Sequence, residues 1–258
     1  MRVSQTSKQC RIDVDNFKIE VNNFPEDKLK KSGITMTNEF TMIAIKKSID
    51  VDPEEAAEKW ITYILNRPDT RIQYLYLSSS PICLLKCDQP MTVIKLGMFV
   101  FSGTPEERSS WVKTTVPVKH LKTRSVFRDD TMKYAQSVLI PEYGDIDAKI
   151  LSEWQANEIT IEIWLSLGQI ITYCTGIAES GRPIGFRCES WIEHPNMEWG
   201  TLDWLAMKVN ARKTSWNGKK CFTIPLDDAS ELNVHGNLDN FSDRLIIEVN
   251  ARGTAIDR

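Results

Sequence analysis

The sequence predicts an α+β fold, in which a mostly antiparallel β-sheet carries two main helices packed on it. Three observations predict this class. Short β-rich segments separated by turn residues recur along the chain, two segments space their apolar residues as helices do, and strand and helix signals do not alternate regularly. The last observation argues against a doubly wound dinucleotide-binding sheet. A length of 258 residues and a hydrophobic content of 41% are enough for a sizeable core.

The beginning of the chain differs from the rest in composition. Residues 1–38 are polar and are predicted to form a weakly ordered N-terminal arm, whereas residues 39–258 are predicted to form a single α+β domain. The first strand of that domain is expected at Glu39 to Ile49, which is rich in β-branched residues. A helix is expected from Asp52 to Leu65, because its first residue is a good N-cap, a proline follows, and an apolar stripe has helical spacing.

The middle of the chain predicts a meander followed by a linker. Apolar segments at residues 71–77, 82–87 and 91–101 are separated by Ser-Pro and Asp-Gln-Pro turn signals, so short antiparallel strands are expected. Residues 108–136 contain seven Lys or Arg against two Asp and have poor periodicity. This composition predicts a long, partly flexible basic linker within the domain.

The second half of the chain predicts further strands and one hairpin. Residues 157–177 are expected to form two strands around Leu167-Gly168, and a short helix is expected near Met197 to Met207. The pair Asn217-Gly218 is a strong signal for a type I′ two-residue turn. A last strand is expected at Arg244 to Asn250.

Catalytic signatures are missing from the sequence. It contains no phosphate-binding loop, no G-x-S-x-G elbow and no H-E-x-x-H motif, and its three histidines are isolated in sequence. The six cysteines are scattered and mostly lie in apolar stretches, as small buried residues do in a reducing compartment. We therefore expect a protein that is not an enzyme and that binds no cofactor or metal. A histidine close in space to Cys83 or Cys188 would reopen the enzymatic interpretation.

Cationic residues are concentrated in two segments, although the net charge is −3. These segments, residues 108–136 and 208–220, predict a surface for an anionic partner, either nucleic acid or an anionic membrane leaflet. In the hairpin no acidic residue is expected to neutralise the cations, and its tip carries a Trp that could stack on bases or lie at a membrane interface. The expected contact residues are Lys113, Lys119, Lys122, Arg124, Arg128, Lys208, Arg212, Lys213, Trp216, Lys219 and Lys220.

The order of these elements resembles that of a known family. A long strand precedes the helix "DPEEAAEKWITYIL", a strand group and a basic linker follow, and a further strand leads to "LDWLAMKVNARKTSWNGKKCFTI", which joins a helix to the basic hairpin. This order, over roughly residues 38–226, is similar to that of rhabdovirus matrix proteins, which condense the viral nucleocapsid beneath the envelope. The Pro-Pro-x-Tyr and Pro-Thr/Ser-Ala-Pro budding motifs of that family are missing, which suits a plant-infecting member that buds into internal membranes.

The resemblance implies a matrix-like fold and a non-enzymatic structural role in the virion. Such a protein would self-associate, condense the ribonucleoprotein (viral nucleocapsid or RNA) and contact an anionic membrane surface during assembly and budding. The alternative is a viral nucleic-acid-binding protein of the movement or silencing-suppressor type. Because the N-terminus has no apolar signal segment, we expect a protein that is not secreted and is at most peripheral to membrane. The resemblance implies residence in the virion and in the host cytosol or nucleus.

Overall fold

The chain is described from a computed structural model. This model describes residues 2–5, 9–14, 17–23, 32–38, 44–49, 59, 62–63, 71–77, 92–98, 117–126, 128, 130–144, 146–192, 200–237 and 244–258. The chain divides into two compact units, one formed by Met1–Lys122 with Asp129–Met132 and the other by Thr123–Arg128 with Lys133–Arg258.

The described elements are mostly strands. The strands are β1 (Arg2–Gln5), β2 (Gln9–Val14), β3 (Phe17–Asn23), β4 (Ser32–Asn38), β5 (Ala44–Ile49), β6 (Arg71–Leu77), β7 (Thr92–Met98), β8 (His120–Thr123), β9 (Ser137–Ile140), β10 (Glu158–Leu165), β11 (Arg187–Ile192), β12 (Arg212–Trp216), β13 (Lys219–Pro225), β14 (Ser230–Asn237), β15 (Arg244–Ala251) and β16 (Ile256–Asp257). The helices are α1 (Asp130–Lys133), α2 (Ala148–Ser152), α3 (Leu167–Ser180) and α4 (Gly200–Lys208).

The first unit contains a mixed sheet. Strands β1 to β5 pair in sequence order as antiparallel neighbours, whereas β1 pairs parallel with β6 and β6 pairs parallel with β7. The predicted antiparallel meander is therefore wrong for β6 and β7. The connection at residues 78–91 is as long as the crossover of a dozen or more residues that parallel neighbours require. Ile72 and Leu75 of β6 and Val93 and Leu96 of β7 are buried in the core.

Strands β1 to β4 lie within residues 1–38, the segment that the sequence predicts to be a weakly ordered arm. The division into an arm and one domain over residues 39–258 stays a prediction. The strand predicted at residues 71–77 is confirmed as β6, and β5 and β7 occupy parts of two other predicted strands. Of the helix predicted at Asp52 to Leu65, residues 59, 62 and 63 are helical, and the other positions lie outside the described residues.

The second unit also has a mixed sheet, and its central strands overturn the predicted fold class. Its strand order is β9-β10-β11-β15-β14-β13-β12-β16. The pairs β9–β10 and β10–β11 are parallel, and the pairs from β11 to β16 are antiparallel. The prediction of a mostly antiparallel sheet with two main helices packed on it is therefore wrong. The cause is a β-α-β crossover, because α3 connects β10 to its parallel neighbour β11.

Helix α3 replaces a strand that the sequence predicts around Leu167 to Ile177. The Ser166 side chain accepts a hydrogen bond from the Gln169 amide, and the Gln169 side chain accepts one from the Ser166 amide. This reciprocal pair is a capping box, which satisfies two amides that the first helical turn leaves unpaired. The β-branched residues of "IITYCTGI" suggest a strand, but the buried residues Ile170, Tyr173, Cys174 and Ile177 have the spacing of one helical face. The missed signal was the Ser-x-x-Gln box.

The sheet of the second unit separates an apolar face from a polar one. Register places Lys213, Phe222, Val234, Ile247 and Cys188 on one face. Helices α3 and α4 lie on this face, since Tyr173 of α3 lies beside Cys188 and Asp203 of α4 approaches Lys213. The opposite face carries buried polar side chains, namely Thr214, Thr223, Glu231, Asn233, His235 and Glu248. The strand predicted at Arg244 to Asn250 is confirmed as β15.

We predict that two glycines of α3 respond oppositely to alanine. A Cβ at Gly176 would lie 2.6 Å from the Ser152 Cβ and closer still to its Oγ, whereas a Cβ at Gly168 has no neighbour nearer than 4.0 Å. Gly168→Ala should stabilise the fold by up to about 1 kcal/mol through helix propensity. Gly176→Ala should destabilise it by about 1–3 kcal/mol through overpacking against α2. Urea unfolding measures both changes.

Ser152→Gly removes the atoms that clash, so the double variant with Gly176→Ala should recover part of the lost stability. If Gly176→Ala is as stabilising as Gly168→Ala, helices α2 and α3 do not approach as closely as described.

Candidate basic contact surface

The hairpin of β12 and β13 has the predicted turn. Asn217 and Gly218 both have positive φ, 48° and 75°, as a type I′ turn requires. The turn fixes the register, in which Trp216 pairs with Lys219 and Arg212 pairs with Thr223. Neighbouring side chains along each strand therefore point to opposite faces of the sheet.

This alternation divides the cations that the sequence predicts to act together. Lys213 and Lys220 point to the face that carries α4, whereas Arg212, Trp216 and Lys219 point to the opposite face. The hairpin consequently presents two small groups of cations rather than one cluster. Lys219 and Lys220 are partly buried and each has an interaction partner.

Arg212 is bound to acidic residues, contrary to the expectation that no acid neutralises the hairpin. Its Nη2 lies 3.2 Å from Glu231 Oε2, and its Nη1 lies 2.7 Å from Asp257 Oδ1. The Glu231 carboxylate is fully buried and also accepts hydrogen bonds from Thr254 Oγ1 and the Ala255 amide. Arg212 thus compensates a buried charge and fixes the last residues of the chain to the sheet. The expectation failed because Glu231 and Asp257 are distant from Arg212 in sequence.

Trp216 is also engaged within the fold. Its ring stacks on the His235 imidazole with centroids 5.2 Å apart and an interplanar angle of 29°. His235 is buried, and its Nε2 lies 2.8 Å from Glu248 Oε1. The register of β13 and β14 places His235 directly opposite Cys221. Trp216 therefore covers a buried polar cluster instead of standing free at the tip of the hairpin.

The end of α4 presents an exposed lysine. The Ala211 amide donates to the Ala206 carbonyl, the Asn210 amide donates to the Met207 carbonyl, and Asn210 has a φ of 52°. This arrangement is a Schellman motif, and asparagine tolerates its left-handed position better than most residues do. It ends the helix at Lys208, which is exposed and lies 5.4 Å from the centroid of the Trp204 ring.

Exposed apolar side chains accompany these lysines. Leu202, Leu205 and Ala206 form the buried stripe of α4, so Trp204 and Met207 remain 37% and 66% exposed. Ile256 of β16 is 73% exposed and pairs with Ser215, which places it on the helix face of the sheet. We call Lys208, Lys213, Lys220, Trp204, Met207 and Ile256 the basic-apolar surface. The apolar members of this surface were not predicted from the sequence, although the helical spacing of "LDWLAMK" separates Trp204 and Met207 from the buried stripe.

Asp203 reduces the positive charge of this surface. Its Oδ2 lies 3.9 Å from Lys213 Nζ, and its Oδ1 accepts a hydrogen bond of 2.9 Å from Arg258. The amide of Arg258 also donates to the Lys213 carbonyl. Arg258 therefore connects β12 to α4.

The residues predicted from the linker have their own surroundings. Lys119 directly precedes β8 and Lys122 lies in it. Both have interaction partners, as does the partly buried Arg124. Arg128 is exposed and lies 3.1 Å from Glu153, which raises its pKa through the hydrogen bond and the charge of that carboxylate. Lys113 lies outside the described residues. None of these positions is shown to join the basic-apolar surface.

The buried cysteines do not have the character of nucleophiles. Cys188 lies beside Tyr173 on the helix face, and burial raises the pKa of its thiol to about 12. His235 is on the opposite face of the sheet, so it is not the partner that would activate Cys188. Burial also raises the pKa of Cys221, which keeps this thiol protonated despite its position opposite His235. Cys83 lies outside the described residues.

Among the residues that the structure describes, no group of three or more His, Cys, Asp or Glu is arranged to hold a metal ion. In the same part of the chain, no helix has the length and apolar character needed to cross a membrane.

We predict that Arg212 contributes to stability and that its neighbour Lys213 does not. Arg212→Ala leaves the buried Glu231 without its cation and should lower the free energy of unfolding by about 1–3 kcal/mol. Lys213→Ala is the matched control, and it should change stability by less than about 0.5 kcal/mol because its ion pair is exposed. Equal effects of the two substitutions in urea unfolding would show that Glu231 does not depend on Arg212.

We predict that Cys188 resists alkylation in the folded protein. With a thiol pKa of about 12 and a buried sulfur, the reactive thiolate is scarce at pH 8. Iodoacetamide should therefore modify the peptide containing Cys188 only after urea is added, as measured by mass spectrometry. Rapid modification of the native protein at this peptide would instead indicate an accessible, activated thiol.

Comparison with known proteins finds no matching family model, no matching curated protein and no matching solved structure. The similarity to rhabdovirus matrix proteins therefore rests on the order of elements in the sequence. What it implies about function is carried forward as a proposal.

Proposed function

We propose that this chain is a non-enzymatic, matrix-type structural protein that binds an anionic membrane surface through its basic-apolar surface. The observation that supports this proposal is the exposure of Trp204, Met207 and Ile256 in the unit that carries Lys208 and Lys213, with the Lys208 ammonium 5.4 Å from the centroid of the Trp204 ring. Such a combination suits the boundary between lipid headgroups and acyl chains. Lysines are attracted to an anionic leaflet, and tryptophan is favoured at that boundary because its ring is apolar and its N–H is polar.

The residues predicted to bind RNA suit that role less well. Base stacking needs an accessible aromatic face, but Trp216 is stacked on His235, and the Trp204 ring lies beside Lys208. Phosphate contacts also gain from arginine, whereas Arg212 is bound to Glu231 and Asp257. A viral nucleic-acid-binding protein of the movement or silencing-suppressor type is the alternative, and the experiment below distinguishes it.

The remaining parts of the proposal rest on the resemblance alone. They are self-association, condensation of the viral ribonucleoprotein, and a place in the virion and in the host cytosol or nucleus. The basic-apolar surface supports the membrane contact, and other surfaces would serve the nucleocapsid and further copies of the chain.

We predict that neutralising three lysines weakens membrane binding. Each lysine near an anionic leaflet contributes about 1 kcal/mol, so the triple variant Lys208→Gln, Lys213→Gln and Lys220→Gln should bind roughly 100-fold more weakly. Co-sedimentation with phosphatidylserine-containing vesicles measures this change. Binding of the wild-type protein should fall with added salt and should be weak to phosphatidylcholine vesicles.

A matched control keeps the number of removed charges similar and changes their position. Lys149 and Arg252 are exposed residues of the same unit outside the basic-apolar surface. The variant Lys149→Gln with Arg252→Gln should bind vesicles like the wild type. Trp204→Ala should also reduce binding, and that loss should persist at high salt. Salt-sensitive binding to RNA without binding to vesicles would reject the proposal and select the alternative.

A further inference from the structure

A cavity lies at one end of the parallel strands of the second unit. It has a volume of about 250 Å³, and its described lining includes Glu142, Glu162, Trp164, Glu189, Trp191 and Arg244. These residues come from the end of β10, from β11, from the chain just after β9 and from the start of β15. In open sheets with parallel strands, ligands bind in the crevice outside the carboxyl ends of those strands. The cavity lies toward that end on the polar face of the sheet, where Thr160 of β10 also lines it.

A bulge in β10 places an aromatic residue at the cavity. Ile161 pairs with Ser190, but the next pair is Trp164 with Trp191, so β10 has two additional residues at this point. Bulges are rare between parallel strands and commonly re-aim a side chain beside a functional site. Here the bulge brings the two tryptophan rings to a centroid distance of 5.8 Å with an interplanar angle of 33°. Trp164 is 51% exposed.

The cavity already holds one guanidinium group. The Arg244 guanidinium carbon lies 4.6 Å from the centroid of the Trp191 ring, and its Nη1 lies 3.5 Å from Glu189 Oε2. Glu189 is also bound to Arg187. The charge of Glu189 near Trp191 is therefore neutralised by arginines of the same chain, and Arg244 also lies over the Trp191 ring.

Trp164, Glu142 and Glu162 also line the cavity, and among the described residues neither of these two carboxylates has a hydrogen-bond or ion-pair partner. An exposed tryptophan face attracts cations through its quadrupole, and carboxylates near a cavity reinforce that attraction. These three residues consequently favour a second positive charge in the cavity.

We propose that this pocket binds the guanidinium group of an arginine side chain in a partner polypeptide. Guanidinium is planar, stacks on aromatic rings and binds carboxylates with two parallel hydrogen bonds, which a lysine ammonium cannot do. Arg244 on Trp191 shows the same recognition within the chain. The cavity is smaller than the roughly 300–1,000 Å³ pockets that hold drug-sized ligands, so it suits one side chain whose backbone remains outside.

The test uses the pentapeptide acetyl-Gly-Gly-Arg-Gly-Gly-amide as the probe. Protein labelled with ¹⁵N at tryptophan is titrated with it, and the indole signal of Trp164 is assigned from the Trp164→Phe variant. We expect a saturable shift of the Trp164 signal. The same peptide with citrulline, which keeps the shape without the charge, should bind at least about tenfold more weakly. The lysine peptide should fall between the two.

Variants locate the effect at the pocket. Glu142→Gln with Glu162→Gln should weaken peptide binding about tenfold, whereas the control pair Glu158→Gln with Glu179→Gln, outside the pocket lining, should leave it unchanged. Circular dichroism checks that each variant is folded. Equal binding of arginine and citrulline peptides, or equal effects of the two glutamate pairs, would overturn the proposal. Tighter binding of free arginine than of the peptide would overturn the assignment to a polypeptide partner. Vesicle binding should be unchanged in the Glu142/Glu162 variant, so this proposal and the membrane proposal can fail separately.

Discussion

The alternation of side chains along paired strands is the constraint on which the second unit depends. The Asn217-Gly218 turn fixes the register of one hairpin, and every later pair from β13 to β11 continues it. One face of the sheet therefore receives Phe222, Val234 and Ile247, which the helices cover. The other receives polar side chains that must be paired where they are buried, and Glu231 with Arg212 meets that condition. A shift by one residue would exchange the two faces.

Helix α3 sets the second feature of the architecture. Because it connects β10 to β11 as a crossover, the two strands run parallel and their carboxyl ends lie side by side. Trp164 and Trp191 are near these ends, and the bulge in β10 aligns them. The capping box at Ser166 therefore matters beyond the helix itself, since a strand in its place would remove the crossover that creates the pocket.

The two faces of the sheet in the second unit differ in the charged residues that they carry. The basic-apolar surface combines lysines with exposed apolar side chains on the helix face, whereas the pocket combines glutamates with tryptophans on the other face. Several arginines are used within the chain, Arg212 for a buried carboxylate and Arg244 for an aromatic ring. The cations of the basic-apolar surface are lysines, whose hydrated point charge suits the proposed contact with a fluid anionic surface. A net charge of −3 conceals both sites.

The elements that could be predicted from the sequence are those with local signals. The I′ turn, the strands β6 and β15 and the short helix α4 follow from residues adjacent in the chain. Helix α3 was not predicted, because its β-branched residues suggested a strand more strongly than the capping box suggested a helix. The mixed sheet was not predicted either, because parallel pairing depends on how a crossover packs. Tertiary contacts alone set the surroundings of the cations: Glu231 and Asp257 meet Arg212 across long stretches of chain, and strand alternation separates Lys213 from it. Contacts between distant residues leave no local pattern, so sequence periodicity cannot reveal them.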